Sequence, residues 1–245
     1  MTAFWWLLGL TLPFILAQVL LHREIQYLFL IMTRRLNLAV GLFSLLFFPG
    51  VLLHELSHLL AALLLRVPVK KFSLIPHTTP TGRVRLGYVQ TSQVDVIRDA
   101  LIGTAPLISG GAVIALISHF ILGLPGFFTG DFHTWWQALQ QLPSLPDFWI
   151  WFYLLFTISS TMLPSESDRH AWLPIILVFV LLLILVIATG AGPWMKMHML
   201  PILSTILPAI SAVIAISLLA HLVLLVPAGL LRSILGKYLG ISFTK

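Results

Sequence analysis

The sequence predicts an all-α polytopic membrane protein with about six transmembrane helices and a small cytoplasmic β-hairpin. Its 245 residues are 59% hydrophobic and only 9% charged, whereas about a quarter of the residues in a soluble domain are charged. Apolar runs long enough to cross a hydrocarbon core of about 30 Å recur along the chain. Short segments between these runs hold most of the charges, so we predict one integral membrane domain over residues 1–245.

The composition also excludes some kinds of site and partner. Because the chain has no cysteine, it forms neither disulfides nor thiolate zinc sites. The formal net charge of +6 does not indicate nucleic-acid binding, since the basic residues cluster in the short loops between apolar runs. We therefore expect the partners to be the lipid bilayer and other membrane proteins.

The first two spans are predicted near the N-terminus. Residues 4–21 form the first, and the segment 22–36, in which charged and bulky residues alternate, is predicted to lie at the membrane interface. Residues 37–65 form the second span, which is longer than the membrane requires. Pro49 and Gly50 are expected to bend it.

Four further spans are predicted at residues 99–123, 149–163, 172–191 and 203–227. Small residues in the third span, Gly103 among them, permit close helix approach. The segment 124–148 contains Trp135 and Trp136 but no Lys or Arg, which is typical of an aromatic loop at the interface. The core is predicted to be residues 37–170, with the first, fifth and sixth spans as additional helices.

Residues 66–98 interrupt the membrane pattern with polar and basic residues. Val69 to Ile75 and Arg83 to Gln90 resemble two short strands, and the residues 78–82 between them supply turn chemistry. We predict a β-hairpin at the membrane surface that can extend into the membrane toward residues of the second span. The alternative is a basic loop without regular structure.

Orientation follows from the distribution of positive charge. With six spans, ten of the Lys and Arg residues fall on the side that carries the 66–98 loop and both termini, and four fall on the other side. The positive-inside rule then places the termini and the hairpin in the cytoplasm. We expect a multi-pass protein of a cell membrane, of the prokaryotic cytoplasmic type.

One motif in the second span carries chemistry. Residues His54, Glu55 and His58 form the pattern HExxH, and the run from Leu36 to Leu65 has no other ionisable side chain. Histidines at positions i and i+4 share one helix face and can bind one zinc ion, while the glutamate acts as general base. The alternative is a chance match on an apolar helix. The chain has only three glutamates, however, and Glu55 is the one inside a predicted span, which favours a metal site.

A catalytic zinc usually takes three protein ligands, so a third must be found. We predict Asp168, with Glu166 as the alternative, because both follow Pro164 at the inner end of the fourth span. His170 can orient a ligand or lie at the interface. His119 and His221, inside apolar spans, are interpreted as hydrogen-bonded packing residues.

At these residues the chain resembles the site-2 protease family of intramembrane zinc metalloproteases, in a minimal form without PDZ or CBS domains. The resemblance covers residues 37–170. It runs through HELSHLLAALLLRVPVKKFSL, Gly82 to Tyr88, GTAPLISGG and SSTMLPSESD. The last segment is similar to the family's Asn-x-x-Pro…Asp-Gly segment, which implies that Asp168 is the third ligand and that Thr161 and Pro164 position the substrate. Thr161 stands at the family's Asn position, the Pro-to-Asp spacing is one residue shorter, and Arg169 replaces the Gly.

The resemblance implies a zinc endopeptidase, with one Zn²⁺ per chain, that cuts a membrane protein substrate in or near its transmembrane helix. Glu55 would take a proton from a water activated by zinc and pass it to the leaving amine. The substrate helix would unwind locally, and a hairpin strand could hold it by edge pairing. Two alternatives are a proteolytically inactive zinc-binding scaffold or chaperone and a metal transporter. The second lacks another buried ligand set.

Overall fold

Helices make up most of this computed structural model, which describes residues 2–78, 84–124, 132–170 and 172–239. The helices are α1 (Thr2–Thr33), α2 (Leu36–Leu46), α3 (Phe48–Leu64), α4 (Val96–Leu116), α5 (Phe132–Gln141), α6 (Phe148–Thr161), α7 (Trp172–Ala188) and α8 (Gly192–Tyr238). A π-helical turn (Ile117–Ile121) continues α4, and a 3-10 turn (Leu142–Ser144) follows α5. The strands are β1 (Val69–Ser73), β2 (His77–Thr78), β3 (Val84–Arg85) and β4 (Tyr88–Thr91).

Three of the described helices are long and apolar enough to cross a membrane. They are α1 over Phe4–Thr33, α4 with its π turn over Val96–Ile121, and α8, and the bent pair α2 and α3 makes a fourth when counted as one span. Helix α6 has 14 residues and α7 has 17, against the ~20 that a straight span needs. The helical membrane-type fold class is therefore confirmed, while the six predicted spans are not.

Helix α1 continues without a break through the predicted interfacial segment 22–36 as far as Thr33, so this segment extends the first predicted span. One of the charged residues that suggested an interface, Glu24, is paired inside the helix bundle. Glu24 is only 6% exposed and forms an ion pair with Arg232 of α8. Helix α8 likewise extends well beyond the predicted sixth span.

The predicted aromatic loop 124–148 is also corrected, because most of its described part is helical. Helix α5 and the 3-10 turn occupy it, and residues 125–131 lie outside the described residues. Trp135 is partly buried against the hydrophobic cluster that contains Phe148 and Leu155. Packing against this cluster favours a helix where the Trp pair alone suggested a loop.

The bend predicted at Pro49 and Gly50 is a break between α2 and α3, whose axes differ by 70°. Pro49 lies in the first turn of α3, where its missing N–H leaves no broken hydrogen bond. The hydroxyl of Tyr153 on α6 donates to the carbonyl oxygen of Leu46 at 2.9 Å. At Gly50 the helices α3 and α6 come so close that a Cβ would overlap the carbonyl oxygen of Thr157.

A tight turn at the end of α3 directs the chain into the hairpin. Arg66 adopts a left-handed conformation with φ +56°, its N–H donates to Leu63 O at 3.0 Å, and the N–H of Val67 donates to Ala62 O at 2.8 Å. This is the Schellman pattern, which satisfies carbonyls left free at a helix end. Pro68 then prevents the helix from continuing.

The predicted β-hairpin is confirmed, and the unstructured alternative is wrong. Strands β1 and β4 pair antiparallel, and the short strands β2 and β3 pair beyond them. Val69 lies opposite Thr91 and Lys71 lies opposite Gln90, so Lys70 is an extra residue that forms a bulge in β1. Of the predicted turn 78–82, residues 79–82 lie outside the described residues.

Candidate metal centre

Three side chains from two distant parts of the chain converge on one point. They are His54 and His58 of α3 and Asp168 of the turn that follows α6. The Nε2 atoms of the two histidines lie 3.1 Å apart. Asp168 Oδ1 lies 3.3 Å from Nε2 of His58, and its Oδ2 lies 3.6 Å from Nε2 of His54. The predicted set is thus brought together, and it can hold a metal ion.

The hydrogen bonds of the imidazoles determine which nitrogen faces the centre. Nδ1 of His54 lies 2.6 Å from the carbonyl oxygen of Thr161, and Nδ1 of His58 lies 2.9 Å from that of Ile102. A carbonyl oxygen only accepts, so each Nδ1 carries the proton and each Nε2 presents a lone pair. Histidines that bind metals are typically oriented by such a hydrogen bond from the other ring nitrogen.

The donor set fits a tetrahedral cation. Two Nε2 lone pairs and a carboxylate that face one another repel unless a positive charge lies between them. Ligand atoms held ~2.0–2.1 Å from a tetrahedral zinc ion lie ~3.3 Å apart. The two Nε2 atoms lie 3.1 Å apart, near this value, and each lies 3.3–3.6 Å from a different oxygen of Asp168. Two imidazoles and one carboxylate, with no thiolate, leave a fourth position for water or substrate.

Pro164 explains why the chain leaves α6 where it does. In a continued helix, the N–H of residue 164 would donate to Ser160 O and that of residue 165 to Thr161 O. Proline has no N–H, so α6 ends and both carbonyls need other partners. Gln18 of α1 donates to Ser160 O at 2.7 Å, and His54 donates to Thr161 O. The helix end therefore supplies the acceptor that orients the first metal ligand.

The turn after Pro164 presents Asp168 to the two histidines. The backbone N–H of Ser165 donates to Asp168 Oδ2 at 2.7 Å, and the Ser165 hydroxyl accepts weakly from the Asp168 N–H at 3.4 Å. Burial by itself would raise the pKa of Asp168. Hydrogen bonding with the imidazoles of His54 and His58 in their protonated form, the charge of protonated His58 and a hydrogen bond with the side chain of Ser165 outweigh burial and hold that pKa well below its usual range. The carboxylate is thus ionised at neutral pH and suited to bind a cation.

Helix α4 forms the opposite wall of the site. Asp95 caps its N-terminus by accepting the N–H of Arg98 at 3.0 Å. The next turn carries Ile102, whose carbonyl orients His58, and Gly103. A Cβ at Gly103 would overlap the carbonyl oxygen of Asp168, so only glycine lets the turn approach this helix so closely. The sequence predicts that the small residues of this span permit close approach of a helix, and at Gly103 it is a turn that approaches.

Glu55 lies beside the three candidate ligands. It is 7% exposed, and a Cβ at Gly87 would lie 2.9–3.2 Å from its side-chain atoms, so the chain segment that leads into β4 packs directly on it. Glu55 and the candidate ligands line one cavity of about 1240 Å³. Strand β4 lines the same cavity, as expected for a hairpin that dips toward the site.

The alternative third ligands lie elsewhere. Glu166 is exposed and is not part of the group that converges on the two histidines. Nδ1 of His170 lies 3.6 Å from Asp99 Oδ2, so this side chain points to the start of α4. His119 is exposed on the π turn. Of the alternatives considered, only Asp168 is positioned to complete the set.

His221 has the packing role that its position in an apolar span predicts. It is fully buried, its Nδ1 donates to Ser217 O at 2.7 Å, and its Nε2 accepts from Ser160 Oγ at 2.9 Å. Thr161 lines the cavity, but its hydroxyl donates back to Thr157 O at 3.1 Å. Substrate positioning by Thr161 and Pro164 therefore stays a prediction, beside the structural roles that both residues have.

Sequence reasoning missed the backbone groups that orient the ligands. The carbonyls of Ile102 and Thr161 carry no residue-specific signal. Pro164 did carry one, since a proline four residues after Ser160 frees that residue's carbonyl oxygen. The role of Gly87 could not be predicted from the sequence, because its close contact with Glu55 depends on how the hairpin packs against α3.

No known protein family model, curated protein or solved structure matches this chain. The assignment of a function therefore depends on the chemistry of the site and on the motifs around it.

Proposed function

We propose that this protein is an intramembrane zinc endopeptidase, similar to the site-2 proteases, that hydrolyses a peptide bond in or near a transmembrane segment. One observation carries the proposal. An HExxH helix with an otherwise apolar sequence places His54 and His58 against Asp168, with all three ligand atoms within 4.8 Å of one another. Ionisable groups in such a segment are costly and are functional candidates by default.

Each residue of the site has a distinct part in the proposed reaction. His54, His58 and Asp168 would hold the metal, which when bound supplies Lewis acidity and lowers the pKa of water. Glu55 accepts the proton of the attacking water and delivers it to the leaving amine. The carbonyls of Thr161 and Ile102 keep both imidazoles in the required tautomer. Packing of Gly87 on Glu55 restricts the carboxylate to this side of the cavity.

The cavity can accept an extended peptide. A helical segment hides its backbone carbonyls in hydrogen bonds, so it must unwind before one of them can react. Among the described residues, β4 pairs only with β1, which leaves its other edge open. Strand β4 also lines the cavity. Pairing of the unwound substrate with this edge would present its backbone to Glu55.

The test is proteolysis by purified protein in lipid vesicles that contain single-span reporter proteins, with fragments identified by mass spectrometry. Wild type should cleave one or more reporters, and Glu55→Gln should retain about one zinc per chain while losing cleavage. Glu166→Gln is the matched control, because this exposed glutamate lies outside the metal group.

Two results would contradict the proposal. Normal cleavage by Glu55→Gln would exclude Glu55 as the general base. A folded wild-type protein that binds zinc but cleaves no reporter would favour the zinc-binding scaffold.

A further inference from the structure

The cavity at the candidate metal centre is lined by residues of two chemical kinds. The apolar residues include Val40 and Phe43 of α2, Phe47 between the two helices and Val51 of α3. The polar residues include Gln90 and Thr91 of β4, Lys71 of β1 and Asp99 of α4. A substrate chain in this cavity can therefore meet both apolar and polar side chains.

Lys71 is the one Lys or Arg among the described residues that line this cavity. It is exposed and forms no ion pair with another described residue. Asp99 lines the same cavity, but its Oδ2 lies 3.6 Å from Nδ1 of His170. A cation in a substrate-sized cavity, with no ion-pair partner among the described residues, favours an anionic group on the ligand.

The bulge in β1 has a direct effect on Lys71. In a regular ladder that begins at the pair Val69 and Thr91, Lys70 would lie opposite Gln90 and Lys71 opposite Val89. With the bulge, Lys71 lies opposite Gln90 and shares a face with it. Bulges commonly re-aim a side chain next to an active site. Lys71 lines the cavity as a result, whereas its neighbour Lys70 does not.

The distance from Lys71 to the reacting bond follows from the strand. Gly87 packs on Glu55, and Gln90, which lies opposite Lys71, follows three residues later. At ~3.3 Å per residue these positions are ~10 Å apart. A substrate strand paired with β4 has the same rise, so Lys71 is about three residues from the scissile bond.

We propose that Lys71 binds an acidic side chain of the substrate, about three residues from the scissile bond. The inference rests on the proposed function and defines its substrate class. The substrate is a membrane protein cut near the end of an apolar stretch, where an Asp or Glu follows after a few polar residues. Lys71 acts by ion pairing and has no part in the chemical step.

The experiment uses synthetic single-span peptides with one apolar stretch of ~20 residues, added to the full-length protein in vesicles. Asp, Asn or Lys is placed at successive positions on either flank of the stretch. Cleavage is followed by mass spectrometry, and binding to a Glu55→Gln background is followed by fluorescence anisotropy. The enzymes are the wild type, Lys71→Glu and the matched control Lys70→Glu, which changes the same charge on the adjacent residue outside the cavity.

The wild type should bind and cleave the best Asp peptide about fivefold better than its Asn counterpart, the effect of a partly exposed ion pair. Lys71→Glu should reverse the preference toward Lys, and Lys70→Glu should behave as wild type. The inference would be overturned if Lys71→Glu cleaved the Asp and Lys peptides with the same ratio of rates as the wild type does. A different result would be a loss of cleavage by Lys71→Glu that is equal for all peptides and occurs only in vesicles that contain anionic lipid. That result would assign Lys71 to binding of phosphate head groups and would also overturn the inference.

The binding measurement separates this inference from the proposed function. Charge-selective binding through Lys71 without cleavage by the wild type would contradict the protease proposal and support the acidic subsite. Cleavage without charge selection would support the protease and exclude the subsite. Peptides that are neither bound nor cut would overturn both.

Discussion

Nδ1 of His54 lies 2.6 Å from the carbonyl oxygen of Thr161, so a metal-ligand candidate on α3 is oriented by the broken end of α6. The carbonyl is available because α6 stops there, and α6 stops because of Pro164. The same break begins the turn that carries Asp168. One proline thus frees the acceptor for the first candidate ligand, His54, and positions the third, Asp168.

The first prediction concerns this proline. Pro164→Ala restores the missing N–H and allows α6 to continue, so the carbonyl of Thr161 would return to its own helix. His54 would lose its partner, and the Ser165 N–H would leave Asp168. Loss of such supporting hydrogen bonds typically weakens metal binding ~10–100-fold. We expect a decrease of this size in zinc affinity, measured by competition with a chromophoric chelator.

The control for Pro164→Ala is Pro201→Ala, which removes an exposed proline from inside α8. Its zinc affinity should equal that of wild type. Unchanged affinity in Pro164→Ala would show that His54 does not depend on the helix break.

The second prediction identifies the third ligand. Wild type should contain about one zinc per chain, Asp168→Ala close to none, and Glu166→Gln as much as wild type, because Asp168 alone of the two acidic residues meets both histidines. Metal content is measured by mass spectrometry on protein purified in detergent. Full occupancy in Asp168→Ala would exclude its carboxylate as a required ligand.

The candidate ligand set could be predicted from sequence because its chemistry is local and rare. HExxH within a span specifies two ligands through helix spacing alone, and a proline followed by a few acidic residues limits the third to a short segment. The hairpin was predictable for a similar reason, since turn residues between two β-prone runs are adjacent in the chain. Two strands that are close together in the sequence have few other strands with which they could pair.

The span count could not be predicted in the same way. Helix α6 is as apolar as a membrane span but has 14 residues, since Pro164 ends it early. The charge of Glu24 suggested an interface because local sequence does not reveal its ion-pair partner. That partner, Arg232, lies more than two hundred residues away in the chain. Hydropathy along the chain does not register such long-range pairs, so it does not reveal that a charge is paired inside a helix bundle.

The third prediction concerns the approach of the Asp168 turn to α4. Gly103→Ala would place a Cβ on the carbonyl oxygen of Asp168 and push the turn away. Overpacking of this kind typically costs about 1–3 kcal/mol of unfolding free energy. We expect lower thermal stability and a marked loss of bound zinc, measured on the same sample.

Gly111→Ala is the matched control in the same helix. The nearest atom to its new Cβ, Cγ1 of Val213, would lie 4.0 Å away, which is an ordinary contact. This variant should keep its zinc and its stability. Equal behaviour of the two variants would mean that Gly103 is not needed for the ligand turn.

The last prediction concerns the break between α2 and α3, which positions the HExxH helix. The hydroxyl of Tyr153 on α6 donates to the carbonyl of Leu46, one of the acceptors left free where α2 ends. Tyr153→Phe removes this donor without changing the packing of the ring, and it should cost about 1 kcal/mol of stability. The measurement is a denaturation midpoint in mixed micelles, with Tyr238→Phe as the control, since Tyr238 is 87% exposed.

Because α3 is also held by α6 at Gly50 and through His54, zinc should still bind to Tyr153→Phe. Loss of zinc together with stability would instead show that the bend itself sets the geometry of the metal centre.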